Sequence, residues 1–431
     1  LGRAIAKGDI DPIDLAQTFL DAIDAHPFTS RIYTIVTHDR ALAEAQAASE
    51  RARLGQRKSA LDGVPVSWKD LFDSAHVATE AGSVLLENRM PSEDCEVLRC
   101  ATELGLVCLG KTHLSELAFS GLGYNPRTAT PPCVNDHDAV SGGSSSGAAA
   151  SVAFGLAPLA IGSDTGGSVR IPAAWNDLVG LKTTSGRLSL EGVVPLCARF
   201  DTVGPLCRSV EDSALALAVL EGSEAADLTN STLERRRFAI CDTVALDALR
   251  PEPRAAFDMA IDRLRSMGAM VERIEIPQVQ EALALSGVLF AAEAYGAWKD
   301  TIEANPDLMY EEILMRFRGG ADVSAPDYVA AWQKLDRLRE DYYTATREFD
   351  AVLMPSSPIL PPNMERLGRD HDYYVAENLL ALRNTRIGNL MGACALSLPT
   401  GVPSCGLMMV CPPLQEHHLL RLGAAVENAL A

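Results

Sequence analysis

The sequence predicts an α/β fold, and three observations carry that prediction. Short apolar runs such as Leu106–Leu109, Leu178–Lys182, Arg237–Cys241 and Val352–Pro355 alternate with longer stretches of helical character. This is the pattern of strands interleaved with helices. The runs are short and continuous, which fits strands buried in a core better than the stripe of an exposed helix. The chain has 431 residues, 47% hydrophobic and 22% charged, which is ordinary globular composition and enough length for one large domain or two.

Taken in order, residues 11–26 are predicted to be a helix. Asp11 can cap it, Pro12 suits its first turn, and Asp14 places a carboxylate near its positive end. Residues 39–54, rich in Ala, Glu and Arg, predict a second helix, so 1–60 is expected to form a helical N-terminal arm. At Leu61-Asp-Gly-Val-Pro-Val-Ser-Trp-Lys-Asp70 the texture changes to a turn and a short apolar strand ending in Lys69. Residues 93–104 predict a helix, Leu106–Leu109 a strand and Lys111–Ser120 a further helix. Residues 121–140 hold Gly, Pro, Asn and Thr with little periodicity and predict a loop.

Further on, Leu178–Lys182 reads as a strand, 209–221 as a helix with Glu211 and Asp212 in its first turn, Arg237–Cys241 as a strand, 251–267 as a helix and Met270–Ile276 as a strand. Residues 278–347 are mostly helical, interrupted at Gly319-Gly320 and Pro326, and are expected to be a substrate-facing insertion. Val352–Pro355, Ala395–Pro399 and Leu407–Cys411 predict short strands, and 415–430 a C-terminal helix.

The stretch around which the rest is organised is 138–172. It holds two Gly-Gly-Ser turns, Gly142-Gly143-Ser144 and Gly166-Gly167-Ser168, with an alanine-rich run and a short apolar run between them. No charged residue falls between Asp138 and Asp164. A membrane span needs about 20 continuous apolar residues, and the Gly/Ser-rich first third breaks that. A buried helix and a buried strand with a serine-bearing turn at each end fits better.

With 38 Lys+Arg against 57 Asp+Glu the chain carries −19, which disfavours nucleic acid or an anionic membrane as a main partner. Ten cysteines are scattered without any C-x-x-C, most among apolar neighbours, and read as reduced core thiols of a cytoplasmic protein. The acidic first thirty residues show no secretory signal.

Several chemistries compete for the polar motifs. His417-His418 and His113-x-x-Glu116 lack the paired spacing of a zinc site, so no metal is expected. Gly142-Gly-Ser-Ser-Ser-Gly147 before a helix could cradle a phosphate on backbone N–H groups, but it lacks the G-x-x-x-x-G-K-[ST] ending. A serine needs a base to become a nucleophile, and no histidine lies in either serine turn or beside Lys69. A lysine can serve as base when burial makes it neutral. From its own stretch alone, Lys69 reads as a surface lysine paired with Asp70.

The combination of motifs resembles the amidase signature family. It comprises Gly63-Val-Pro-Val-x-x-Lys-Asp70, Gly142-Gly-Ser-Ser-Ser-Gly147, Gly162-Ser-Asp-Thr-Gly-Gly-Ser-Val-Arg170-x-Pro172 and Gly180-Leu-Lys182. It continues through Asp201-x-x-Gly-Pro205, Ser209-Val-Glu-Asp212, Leu353-Met-Pro355 and Ala395-Leu-Ser-Leu-Pro399. The resemblance runs through nearly the whole chain and implies a Ser–cis-Ser–Lys amidohydrolase. Ser168 matches the nucleophile, Ser144 the bridging serine whose peptide bond with Gly143 is cis in the family, and Lys69 the general base. The backbone N–H groups of Thr165, Gly166 and Gly167 would line the oxyanion hole. The implied fold is one large α/β domain, with a central mixed twisted sheet covered by helices on both faces and residues 61–221 as its signature core. No cofactor is implied.

Departures from the family pattern are Trp175-Asn176-Asp177, Thr183 and Cys394, none of them in the triad. Arg170 has two readings, a ligand for a substrate carboxylate or a structural ion pair with a local acid. The expected activity is hydrolysis of a small carboxamide to a carboxylate and ammonia or amine through a serine acyl-enzyme, with substrate choice set by 121–140 and 280–345. The expected partner is the small-molecule amide, with no nucleic acid and no membrane, and a homodimer is left open. The alternatives are the glutaminase (A-type) subunit of a tRNA-dependent amidotransferase and a Gly-rich-loop nucleotide-binding protein without hydrolase activity.

Overall fold

In the computed structural model, which describes residues 1–431, eleven strands form one mixed sheet. They are β1 (Tyr33–Val36), β2 (Pro65–Lys69), β3 (Val107–Thr112), β4 (Ala160–Ser163), β5 (Val179–Lys182), β6 (Val203–Cys207), β7 (Arg237–Cys241), β8 (Met270–Ile274), β9 (Ala351–Pro355), β10 (Cys394–Pro399) and β11 (Gly406–Cys411). Their order across the sheet is β1-β3-β2-β4-β6-β5-β10-β11-β9-β7-β8. The pairs β2/β3, β2/β4, β7/β8 and β7/β9 are parallel and the others antiparallel. Helices flank the sheet, and the whole is a single α/β domain.

Burial explains why the inner strands read as continuous apolar runs. Every residue of β2, β3, β4, β5 and β6 is buried, because both faces of this part of the sheet are covered. The edge strand β8, Met-Val-Glu-Arg-Ile, is by contrast largely exposed. Its Glu272 and Arg273 put charge on the open edge, which discourages pairing with another chain.

The first long helix, Pro12–Ala25, starts as its sequence predicts: Ile13 N–H donates to Asp11 Oδ1 at 2.8 Å. Ser209 caps Val210–Glu221, accepting from Asp212 N–H at 3.1 Å, and Gly222 ends that helix in the left-handed region.

Two expectations need correction, and two elements have no predicted counterpart. Residues 111–120 are not a helix. Lys111 and Thr112 complete β3, and a single 3-10 turn follows at Glu116–Ala118 with Leu117 at φ 47°. Tertiary hydrogen bonds win over helix propensity here: Ser115 N–H donates to Ser144 O at 3.2 Å, and His113 O accepts from Gly147 N–H at 2.9 Å. The N-terminal segment is not only helical, since β1 lies within it and pairs antiparallel with β3. Strand β6, which carries Gly204-Pro205 and sits between β4 and β5, has no counterpart in the predicted elements. Finally, the 20-residue helix His371–Leu390 has no counterpart in the predicted elements.

All ten cysteines are free thiols, buried except for partly exposed Cys100. The denatured, unreduced protein should therefore titrate ten thiols with a thiol reagent. Recovery of several bridges would overturn the reduced-thiol reading. No helix is long and apolar enough to cross a membrane.

Candidate active site

Neighbouring parallel strands β2 and β4 end side by side, with Trp68 opposite Ile161. Ligand sites of such sheets lie at the carboxyl ends of parallel strands, and the residues singled out in the sequence gather there. Lys69 is the last residue of β2, and Ser163 the last of β4. Ser144 precedes the helix Ser146–Ala153, and Ser168 precedes the short helix Arg170–Trp175. Ser145 N–H donates to Ser168 O at 3.2 Å and ties the two serine turns together. The Gly143–Ser144 peptide bond is cis.

Lys69 is fully buried, and its Nζ donates to Ser144 Oγ at 2.7 Å and to Ser163 Oγ at 2.8 Å. The expected partnership with Asp70 does not form. That carboxylate takes Lys111 instead, at 3.0 Å. Three lysines are fully or almost fully buried, and their partners differ. Lys111 has an ion pair, Lys182 donates to the carbonyls of Thr183 and Ala393, and Lys69 has only hydroxyls. Burial pushes the Lys69 ammonium down to about 7, opposed by the more distant charges of Asp201 and Asp164. A substantial neutral fraction therefore exists at neutral pH. No histidine hydrogen-bonds to these serines, and the buried His113 Nδ1 has no partner.

Ser163 is the residue that sequence reasoning missed. The resemblance places Ser144 beside Lys69 as the bridging serine, and the second hydroxyl on the lysine is that of Ser163. Its signal lay within the Gly162-Ser-Asp-Thr motif, at the end of the strand parallel to the one carrying Lys69. The Ser168 Oγ makes no hydrogen bond to the protein, and Ser168 lines a small pocket together with Thr165 and Gly166.

The turn 164–169 is wound around Asp164. Its carboxylate accepts from the N–H groups of Gly167 (2.9 Å) and Val169 (3.1 Å). The Gly167 amide is thereby committed, a departure from the three donors expected for an oxyanion hole. The N–H groups of Thr165, Gly166 and Ser168 have no partner in the protein. Gly167 is required for another reason. Its φ is 138°, and a Cβ there would stand 2.1 Å from Thr385 Oγ1.

Arg170 is fully buried and forms a two-pronged pair with Asp164, through Nε at 3.0 Å and Nη2 at 2.8 Å. Its remaining donors go to Thr385 O and Asn389 Oδ1, both at 2.6 Å. Burial alone would raise the Asp164 carboxyl. The charge and hydrogen bonds of Arg170, then Lys182 and Asn389, outweigh it and hold the group well below the usual carboxylate range. The geometry therefore supports the structural reading of Arg170. Arg170→Ala should destabilise the fold by about 3–5 kcal/mol, the usual cost of stranding one member of a buried pair. Thermal melts check this, and activity on all amides should fall alike. Unchanged stability with selective loss on acidic amides would return Arg170 to the substrate.

The phosphate-cradle reading fares poorly. In the 142–147 turn, the N–H groups of Gly143, Ser145, Ser146 and Gly147 all donate to protein carbonyls. Glu116, considered with His113 as a metal pair, instead accepts from Ser83 Oγ and Tyr310 N–H.

A large mixed sheet, helices around it and a buried lysine among serines at the carboxyl strand ends describe a hydrolase of the amidase class. The chain belongs to the Amidase family, whose model matches residues 14–420. It is 35% identical to a 2-amino-5-chloromuconic acid deaminase of Comamonas testosteroni, over 92% of this chain and 88% of that one. It is 32% identical to the A-type subunit of a glutamyl-tRNA(Gln) amidotransferase of Anaeromyxobacter sp. (strain K), over 100% of this chain and 95% of the relative. A solved amidase structure superposes with a TM-score of 0.90 at 29% identity, covering 100% of this chain and 99% of that one. The protein is thus an amidohydrolase acting on C–N bonds.

Proposed function

We propose that this chain hydrolyses a small carboxamide through an acyl-enzyme on Ser168, with Lys69 as general base and Ser144 relaying the proton. The observation that carries the reading is Lys69: buried, shifted toward neutrality, and bonded to hydroxyls alone. Neutral Lys69 takes the proton of Ser144, which takes that of Ser168, and Ser168 Oγ bonds to the carbonyl carbon. The negative oxygen so formed is met by the free N–H groups of Thr165 and Gly166, to which we add that of Ser168. The C–N bond breaks, the proton returns along the relay to the leaving nitrogen, and ammonia or amine departs. Water then attacks the ester by the same relay, releasing the carboxylate and restoring Ser168.

Stopping the wild-type reaction early should show a mass adduct on the peptide containing Ser168, at the mass of the acyl group. An adduct on another residue would remove Ser168 from this role. Ammonia release from a panel of aliphatic, aromatic and dicarboxylic monoamides, with glutamine included, gives the substrate.

The second reading, the glutaminase component of a tRNA-dependent amidotransferase, has specific support in the full-length similarity to the A-type subunits of such enzymes. It predicts glutamine as the best amide, together with co-purification of a second polypeptide. A cytoplasmic location belongs to either reading, with ten free thiols in its favour. The segment 278–347 serves as the substrate-facing part, since Phe290 and Arg316 from it line the Ser168 pocket.

A further inference from the structure

Two arginines flank the pocket of Ser168. Arg316 comes from the helix Glu311–Arg318 and Arg386 from the helix His371–Leu390, and the pocket walls beside them are Phe119, Leu196, Phe290 and Leu382. Neither guanidinium has an acidic partner within salt-bridge distance, and neither donates a hydrogen bond to the protein. The Arg316 Nε is enclosed and unpartnered. No Asp or Glu lines the pocket. This occurs in a chain with 57 acidic residues against 38 basic ones, where a counter-charge would be easy to supply.

Leaving two cations half-buried side by side is costly unless something neutralises them. Burial, and then the charge of Arg316, pushes Arg386 down to about 9, so it still carries its proton at neutral pH. The aromatic walls hold the guanidinium groups without using their N–H donors. The Arg316 guanidinium carbon lies 4.6 Å from the centre of the Phe119 ring, and that of Arg386 lies 5.9 Å from the centre of Phe290. Arg386 also stands beside the reacting turn. A Cβ built on Gly166 would lie 3.6 Å from Cγ and 3.8 Å from Nε of Arg386. Arg170 cannot play this part, because its donors are already taken.

We infer that Arg316 and Arg386 together bind a carboxylate of the substrate, and that the preferred substrates are monoamides of dicarboxylic acids. The inference rests on the reading of Ser168 as the reacting hydroxyl. A planar fork matches a carboxylate through two N–H donors, which a lysine cannot reproduce. The apolar walls that the arginines and Ser168 share suit a short hydrocarbon chain joining the acid to the amide. Water cleaves the C–N bond, and the products are the dicarboxylate and ammonia.

The test compares kcat/KM for succinamate, glutaramate and adipamate with the uncharged amides of equal length, butyramide, valeramide and hexanamide. The wild type should prefer the acids by about 100-fold or more, as sites built around a polar group reject analogues lacking it. Arg316→Gln and Arg386→Gln should each lower that ratio by about tenfold or more, and Arg→Lys at either position should restore only part of it. If a Gln variant does not fold, the Lys variant carries the comparison.

A second readout does not depend on turnover. Glutarate should raise the Tm of Ser168→Ala protein, and the rise should vanish when Arg316→Gln or Arg386→Gln is added. A wild type that hydrolyses uncharged amides as well as the acids, or a ratio and a glutarate shift indifferent to both arginines, overturns the inference while leaving the Ser168 mechanism standing. A Ser168→Ala protein that still releases ammonia overturns the mechanism, and the glutarate shift still decides the arginines.

Discussion

Ser168→Ala should abolish amide hydrolysis while leaving the fold untouched. Both halves of that statement come from the same geometry. The Ser168 Oγ bonds to nothing in the protein and Ser168 lines the pocket, so removal of the hydroxyl breaks no intramolecular hydrogen bond. Substitutions that disturb no packing or bonding usually change stability by less than about 0.5 kcal/mol. In the proposed mechanism the chemical step loses the atom that forms the ester. Loss of a nucleophile from a working constellation costs about 10⁶-fold in a serine hydrolase, because the remaining members act only through it. Ammonia release should fall by about 10⁴-fold or more while Tm and chromatographic behaviour match the wild type. Turnover close to wild type would mean that another hydroxyl carries the acyl group. Ser163 and Ser144 would then be the first to examine, since both are on Lys69. Arg170→Ala is expected to behave in the opposite way, losing the fold first and the activity only as a consequence.

Sequence legibility tracked how local the cause was. The apolar runs of β2, β5, β7, β9, β10 and β11 could be read because both faces of those strands are buried or nearly so. The signal was therefore continuous. Helix Pro12–Ala25 carries its own start signal in Asp11-Pro12. The motif residues Lys69, Ser144 and Ser168 stood out by pattern, although nothing in the stretch around Lys69 said that it was buried. That followed only from the neighbouring strands β3 and β4 and the two serine turns closing over it.

What stayed hidden depended on distant contacts. The helix His371–Leu390 buries polar Glu377, Asn378, Asn384, Thr385 and Asn389 against the rest of the molecule, so its apolar periodicity is blurred. Its start could have been found at Asp370, whose side chain accepts from Tyr373 N–H at 3.0 Å. Missing it concealed Arg386, and with it the second half of the cationic pair at the pocket. The error at 111–120 has the same origin: the segment spends its backbone groups on the Ser144 turn rather than on itself.

The second large effect is expected at Lys69, and it is a pH effect with a definite sign. In the proposed relay, only the neutral amine can accept the proton that Ser168 passes through Ser144. Burial holds Lys69 at about 7, against about 10.5 for an exposed lysine, so the active form gains population as pH rises. The logarithm of kcat/KM should climb with unit slope below about pH 7 and level off above it. An unshifted lysine would keep climbing toward about pH 10. Lys69→Ala should remove that limb and lower activity by about 10²–10⁴-fold, the usual worth of a general base. Ser144→Ala should cost a similar factor, because the relay is cut while nucleophile and base remain. Ser163→Ala separates the two hydroxyls on the lysine. Ser163 offers an oxygen to the ammonium but stands outside the proposed proton path, so its loss disfavours the charged form. The limb should then move to lower pH with the plateau retained within about tenfold. A Lys69→Ala enzyme with the wild-type profile would require a different base. A Ser163→Ala enzyme as impaired as Ser144→Ala would put the relay through Ser163 instead.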